Sequence, residues 1–425
     1  MKFEDLDLLR NIQQAITEEG YEAPTPIQEQ AIPEILAGND LVGCAQTGTG
    51  KTAAFAIPIL NLQHRIVGSA KKVKYIRALI ITPTRELALQ IGQSFDTYGK
   101  YTNIRQLTIF GGVNQVSQVD QLKKGVDILV ATPGRLLDLH KQGFINLDHL
   151  HTLVLDEADQ MLDMGFINDV KKIIKLTPDN RQTLLFSATM PVPIRELADT
   201  FLTKPKYITV APVSSTAEKV KQHLYYVDKG DKRKLLYHLI RNENLDNVLV
   251  FTRTKHGADN VVKALKKNGV EAGAIHGDKS QNARQRVLEA FKNKEMPVMV
   301  ATDIAARGID IESLPYVINF DLPNIPETYV HRIGRTGRAG NSGLAISFCG
   351  RDEIAYLKDI EKLIRIKIKV IDGHPYPYGE AEETKAPAQK SQGTNNSNGR
   401  SGKTKKANTN SRKSEASKKN KRRWY

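Results

Sequence analysis

The chain has 425 residues, 40% of them hydrophobic, enough for two or three domains with ordinary packed cores. No apolar run approaches the roughly 20 residues of a membrane span. The charged start "MKFEDLDLLR" has no signal-peptide core, and the two distant cysteines, Cys44 and Cys349, suit a reducing cytoplasm and present no metal-ligand spacing. The net charge of +15 is uneven: residues 381–425 hold 13 basic residues against three Glu, a balance that favours polyanionic partners such as nucleic acid or an anionic membrane surface.

In chain order, buried strands are predicted at "DLVGC" (40–44), "ALIIT" (78–82), "DILVAT" (127–132), "TLVLD" (152–156) and "TLLFSAT" (183–189). Each is continuously apolar rather than alternating, the pattern of strands covered on both faces of a parallel sheet. Helical stretches such as "RELALQIGQSFDTYGKY" (85–101) separate them, so residues 1–210 read as one open α/β sheet. The stretch "TVAPVSSTAEK" (209–219) breaks the pattern with Pro, Ser and Thr, and a linker is predicted over 211–219. Alternation resumes at "NVLVFT" (247–252), "AGAIH" (272–276), "PVMVAT" (297–302), "YVINFD" (316–321) and "LAISF" (344–348), a second α/β domain over 220–372. Residues 373–425 are predicted to be a disordered basic tail, because a segment so poor in apolar residues cannot offset its ordering entropy by burial.

"AQTGTGKT" (45–52) follows the first strand and opens a helical stretch, the setting of a phosphate-binding loop. Ala45, Gln46, Thr47, Gly48, Thr49 and Gly50 form the loop, and the two glycines let backbone amides approach a polyphosphate at a helix N-terminus that favours anions. Lys51 supplies a positive charge to the β/γ-phosphates, and Thr52 offers a hydroxyl to Mg²⁺. The strict pattern starts with Gly where this chain has Ala45. "LVLDEADQMLD" (153–163) then places Asp156, Glu157 and Asp159 at the carboxyl end of a buried strand, where α/β sheets bind ligands. Carboxylates so crowded are costly unless a cation relieves them. Asp156 suits the Mg²⁺ shell, with water between; Glu157 suits orienting and deprotonating an attacking water; Asp159 suits coupling to other parts of the chain. Acids at a helix N-terminus can also serve the helix dipole alone, and it is the phosphate loop that favours the catalytic reading.

These motifs belong to a longer ordered series. "GYEAPTPIQ" (20–28), "PTRELA" (83–88), "GG" (111–112), "TPGR" (132–135) and "SAT" (187–189) flank the acids, and "VFTRT" (250–254), "QNAR" (281–284), "ATDIAARGID" (301–310) and "HRIGRTGR" (331–338) follow. The series spans nearly all of residues 3–350 and resembles that of the DEAD-box RNA helicases, whose name spells residues 156–159. The phrases "DMGFI", "TRTKHGA", "AIHGDKSQ" and "YLKDIEKLI" look most like the bacterial RhlE-type branch.

The resemblance implies an α/β architecture of two tandem RecA-like parallel-sheet domains facing each other across a cleft, ATP with Mg²⁺ as cofactors, RNA as partner, and a cytoplasmic enzyme without a membrane. It implies that Gln28 pairs with the adenine edge, that Tyr21 stacks on the base where the family usually has Phe, and that Asp310 contacts the ribose. Arg335 and Arg338 are implied as arginine fingers acting with Lys51, Asp156 and Glu157. Ser187 and Thr189 are implied to couple hydrolysis to strand separation, through Asp159 and His331. Sugar–phosphate contacts are implied for Arg85, Gly112, Pro133, Gly134, Arg135, Arg253, Arg284 and Thr302, so RNA binding should be largely blind to sequence. Two other functions share parts of this set. An ATP-driven DNA translocase would be stimulated by DNA, and an RNA clamp would seldom turn over.

Overall fold

The computed structural model describes residues 1–46, 48–67, 75–210, 220–306, 314–337 and 343–378. The linker expected at 211–219 and residues 379–425 of the basic tail lie outside the described residues, as do Thr47, Asp310 and Arg338.

Two all-parallel sheets of seven strands carry the fold. The first contains β1 (Leu41–Ala45), β2 (Ala78–Ile81), β3 (Gln106–Ile109), β4 (Ile128–Ala131), β5 (Thr152–Leu155), β6 (Gln182–Ser187) and β7 (Lys206–Val210), in the order β3–β4–β2–β5–β6–β1–β7. The second contains β8 (Lys221–Tyr226), β9 (Val248–Phe251), β10 (Ala272–Ile275), β11 (Val298–Ala301), β12 (Tyr316–Asn319), β13 (Leu344–Cys349) and β14 (Lys369–Val370), in the order β10–β11–β9–β12–β13–β8–β14. The second order is the first with every strand advanced by seven, so each strand of one lobe has a positional counterpart in the other.

The central strands are buried on both faces, as their apolar runs require. In β2, Ile80 enters one core with Phe55, Ile91 and Phe186, while Leu79 and Ile81 enter the core on the other face with Leu136 and Leu139. Fully burying each such side chain stabilises by about 1.5–3 kcal/mol. Four strands lack a continuous apolar run and went unread in the sequence. β3 alternates between half-buried and buried, β7 and β14 are largely exposed, and β8 is buried only at Leu224 and Tyr225. β3, β7 and β14 are sheet edges, and β8 is covered on its outer side only by the two residues of β14. Thr209 and Val210 complete β7, directly before the stretch expected as a linker at 211–219. One boundary moves. Residues 373–378, expected in the tail, instead pack on the second sheet: His374 meets Tyr225 edge-on, Tyr378 lies against Tyr226, and the Tyr378 hydroxyl donates to the Cys349 carbonyl at 2.7 Å. Among the described residues, no helix is long and apolar enough to cross a membrane.

Candidate functional site

The strand order divides each lobe. In lobe 1, β5–β6–β1 deliver the acids, "SAT" and the phosphate loop, while β3–β4–β2 deliver "GG", "TPGR" and "PTRELA". Adjacent strands stand about 4.8 Å apart, so three neighbouring strand ends make a row about 10 Å long.

On the first half, β1 runs into a loop whose Gly48 and Gly50 have φ of 79° and 92°, values that L side chains rarely adopt. A Cβ on Gly50 would lie 2.3 Å from Gln28 Nε2, so glycine is needed there for space as well. The segment around Gln28 is bonded to this loop. Thr25 Oγ1 donates to the Thr49 carbonyl at 2.8 Å, and Gln28 Nε2 donates to the Gly50 carbonyl at 3.1 Å. Gln28 Oε1 accepts from the Thr25 amide at 3.0 Å in a capping box, which opens the helix Pro26–Leu36. One N–H and one lone pair of the Gln28 amide remain, the pair an adenine edge requires. Tyr21 is 40% exposed, lies near-parallel to Phe3 at 6.2 Å and meets the Tyr98 hydroxyl at 2.9 Å, so its ring is braced from behind. Lys51, the first residue of the helix Lys51–Val67, is buried and donates Nζ to the Ala45 carbonyl at 2.7 Å. Thr52 beside it is half-buried.

Asp156 directly follows β5, and its Oδ1 accepts the Glu157 amide at 3.0 Å. Burial raises the pKa of the Asp156 carboxyl, against the pull of Lys51. Glu157 holds φ of 55°, the left-handed region, although it is not glycine. Its side chain is buried, and Oε2 has no hydrogen-bond partner among the described residues. Burial first, and then the Asp156 charge, push Glu157 up to about 7, while Lys51 and Arg335 of the other lobe oppose the rise. Among the described residues, no group of three or more His, Cys, Asp and Glu could hold a metal by itself. The donors at hand are Asp156 and the Thr52 hydroxyl, which fits a hard cation that brings phosphate and water oxygens with it.

Asp159 is bonded to both Ser187 and Thr189. Its Oδ2 accepts from the Thr189 amide at 2.9 Å and the Thr189 hydroxyl at 2.8 Å. Its amide donates to Ser187 Oγ at 3.2 Å, and Ser187 Oγ donates to the Thr189 carbonyl at 2.7 Å. His331 sits in lobe 2, lining a small cavity with Asp303, Arg332 and Arg335. Arg335 is buried. Arg332, three residues before it, is a brace: Nε and a terminal nitrogen clamp both oxygens of Asp303 at 2.6 and 2.8 Å.

On the second half, Gly112 has φ of 77°, and Arg85 is stacked so close that a Cβ there would meet the guanidinium at 2.2 Å. Arg85 donates to Gln281 Oε1 of lobe 2 at 3.4 Å. Glu86 Oε1 accepts from Gln281 Nε2 at 3.1 Å and pairs with Arg284 at 3.0 Å. A cleft of about 340 Å³ opens here, lined from both lobes by Arg85, Gly134, Arg135, Phe166, Arg284 and Ile304. Arg135 is held by Gln118 Oε1 and the Val113 carbonyl, both at 3.0 Å, and Pro133 is the first residue of its helix, Pro133–Lys141. Thr302 starts the turn after β11, where its carbonyl accepts from Ala305 and Ala306. Arg253 lines a separate cleft in lobe 2. Glu86, Gln281 and Ile304, which line the cleft between the lobes or bond across it, were not singled out from the sequence. Glu86 puts a carboxylate in a cleft lined by Arg85, Arg135 and Arg284, and it is Arg284, from the other lobe, that pairs with it.

Residues 25–197 match the family model described as DEAD/DEAH box helicase, and residues 231–340 match the helicase conserved C-terminal domain. The chain is 45% identical over 370 residues to the ATP-dependent RNA helicase CshA of Limosilactobacillus reuteri, an alignment covering 87% of this chain and 73% of that one. It is 44% identical over 369 residues to the DEAD-box ATP-dependent RNA helicase CshA of Geobacillus kaustophilus, covering 86% and 77%. In structure it is similar to S. cerevisiae Dbp5 bound to RNA and ADP BeF3, with a TM-score of 0.78 and 29% identity over 87% of this chain and 95% of that chain.

Proposed function

The chain belongs to the DEAD-box family of ATP-dependent RNA helicases, and from that premise we propose how its own residues drive the reaction. The protein is an RNA-stimulated ATPase that converts ATP to ADP and phosphate and locally separates or remodels RNA. One observation carries the residue-level reading. Glu157 is a buried carboxylate pushed up to about 7, with Oε2 unpartnered among the described residues and the Arg335 charge facing it from the other lobe. A base poised near neutrality can take the proton of a water attacking the γ-phosphate. The bond from the γ-phosphorus to the β,γ-bridging oxygen breaks as the water oxygen adds, and Arg335 with Arg338 stabilises the charge on the transferring group. Lys51 exchanges the Ala45 carbonyl for phosphate oxygens. Thr52 and Asp156 would hold Mg²⁺, which when bound neutralises charge on the β- and γ-phosphates.

Gln28 reads the adenine edge with its remaining N–H and lone pair, Tyr21 covers the base, and Asp310 takes the ribose. Because Gln28 is also bonded to Gly50, base recognition and loop geometry are linked through one side chain. The Asp159–Thr189 bonds join the acids to "SAT", so a change at the γ-phosphate reaches the neighbouring strand end directly. RNA lies along the row of strand ends β3–β4–β2 and its counterpart β10–β11–β9, gripped at sugar and phosphate by Arg85, Gly112, Arg135, Arg253, Arg284 and Thr302. Closing the lobes assembles both halves at once, so ATP selects the RNA-gripping state and phosphate release undoes it. The likeness to Dbp5 with RNA and a nucleotide analogue supports this reading of the lobe arrangement.

Lobe boundaries at 1–210 and from 220 onward are part of this proposal. So is a cytoplasmic setting, supported by two free thiols, Cys44 and Cys349. The RhlE-type branch rests on its four phrases alone, while the curated relatives that support the family carry the CshA name. Phosphate release measured with RNA and with DNA of equal length tests the reading. Strong stimulation by RNA alone is expected; stimulation by DNA alone would make the protein a DNA translocase, and no turnover with either would make it a clamp.

A further inference from the structure

Lobe 2 carries a buried charge cluster at the place where lobe 1 has its phosphate loop. Lys232 begins the helix after β8, as Lys51 begins the helix after β1. Asp321 lies just beyond β12, as Asp156 and Glu157 lie just beyond β5. In lobe 2 the lysine is closed off by protein. Lys232 Nζ meets Glu353 Oε2 at 2.5 Å, the Phe320 carbonyl at 2.8 Å and Asp321 Oδ1 at 3.5 Å. Glu353, whose side chain is 3% exposed, accepts from four donors: Lys232, the Gly350 amide at 2.9 Å, the Leu322 amide at 3.1 Å and an Arg253 terminal nitrogen at 2.9 Å.

Arg253 is the member of this cluster that reaches solvent. The same terminal nitrogen also donates to the Leu322 carbonyl at 3.0 Å, the Arg253 amide donates to Asp321 Oδ2 at 2.9 Å, and the guanidinium stands 5.2 Å from the Tyr356 ring centroid. Its side chain is 39% exposed, at the edge of a cleft of about 340 Å³. Among the described residues, one nitrogen makes both side-chain hydrogen bonds, and the other edge of the fork is open. A fork held this way loses its rotamer freedom on folding, not on binding.

We propose that Glu353 is a positioning residue for RNA binding: it fixes Arg253 so that the open edge of the guanidinium meets an RNA phosphate. The inference rests on reading Arg253 as an RNA contact. Glu353→Asp withdraws the carboxylate by one methylene and keeps its charge. The RNA concentration for half-maximal ATPase stimulation should rise about fivefold to tenfold, the size of one ordinary hydrogen bond, while turnover at saturating RNA stays unchanged. In an Arg253→Ala background the same substitution should add nothing. Effects that multiply in the double variant, or a loss of turnover at saturating RNA with unchanged half-saturation, would reduce Glu353 to a structural role. If thermal melting shows that Glu353→Asp does not fold, Lys232→Met with Glu353→Leu replaces the buried pair by apolar side chains, a change that is often neutral for stability. That protein should show the same rise, and wild-type half-saturation in it overturns the proposal. Wild-type half-saturation in Arg253→Ala also overturns it and leaves the helicase assignment standing; that assignment fails only if RNA does not stimulate the unmodified protein.

Discussion

The two lobes share one strand order and treat charge at corresponding strand ends in opposite ways. In lobe 1, three carboxylates crowd behind β5, Glu157 Oε2 lacks a partner among the described residues, and Lys51 rests on a backbone carbonyl. In lobe 2, Lys232 and Glu353 satisfy each other, and the carboxylate is saturated by four donors. Buried charge left incomplete marks where a ligand finishes the structure, and buried charge already paired marks where none can enter.

Arg335→Ala breaks the catalytic side of this contrast most severely. RNA-stimulated turnover should fall by roughly 10³–10⁵, the contribution of an arginine finger. Arg335 also opposes the rise of the Glu157 pKa, so the acid limb of the residual pH–rate profile should move to higher pH. Steady-state phosphate release across pH checks both, and near-normal turnover at saturating RNA would remove Arg335 from the site.

Glu157→Gln should lower turnover by roughly 10²–10⁴ while ATP and RNA still bind, so the closed complex persists on RNA. It also sharpens the comparison through stability. The folded carboxyl titrates at about 7 against an ordinary 4.5, so the unfolded chain ionises first and the native state is penalised as pH rises. The Gln variant should therefore match wild type below pH 4.5, gain through the interval up to about 7, and above it hold an advantage on the order of 3 kcal/mol. Denaturant unfolding of the nucleotide-free protein at pH 5 and pH 8 measures it; equal gains at both would refute the buried-acid account.

Lys51→Met and Lys232→Met should separate function from stability. The first removes the phosphate ligand and should stop hydrolysis with stability changed by no more than about 1 kcal/mol. The second strips a buried carboxylate of its ammonium and should cost on the order of 3 kcal/mol of folding stability. Comparable stability losses in both would mean that lobe 1 is as closed as lobe 2. Gln28→Ala carries the smallest effect. Leaving an adenine edge unpaired costs about 1–3 kcal/mol, so the preference for ATP over GTP should narrow by that amount in competition binding.

Much of this was legible because the motifs are contiguous. The phosphate loop, "DEAD" and "SAT" each follow a buried strand, and a continuous apolar run ending in charge identifies the carboxyl end of a parallel strand from spacing alone. The strands β3, β7, β8 and β14 escaped because strands at a sheet edge, or beside one as short as β14, need no apolar run. The role of residues 373–378 also escaped, since three aromatic rings in a Pro- and Gly-rich stretch signal neither helix nor strand.

The amino-acid order by itself determined which side chains exist at each strand end: a lysine after β1, acids after β5, small residues where backbone must approach backbone. Tertiary structure alone decided their electrical state. Whether a lysine rests on a carbonyl, as Lys51 does, or is closed against a carboxylate 121 positions away, as Lys232 is, depends on which distant segment folds beside it. The same holds for Glu86, whose place in a cleft lined by arginines makes sense only once Arg284 arrives from the other lobe. Burial and pairing set the energy of a charge, and both are properties of the assembled sheets, not of the neighbours in sequence.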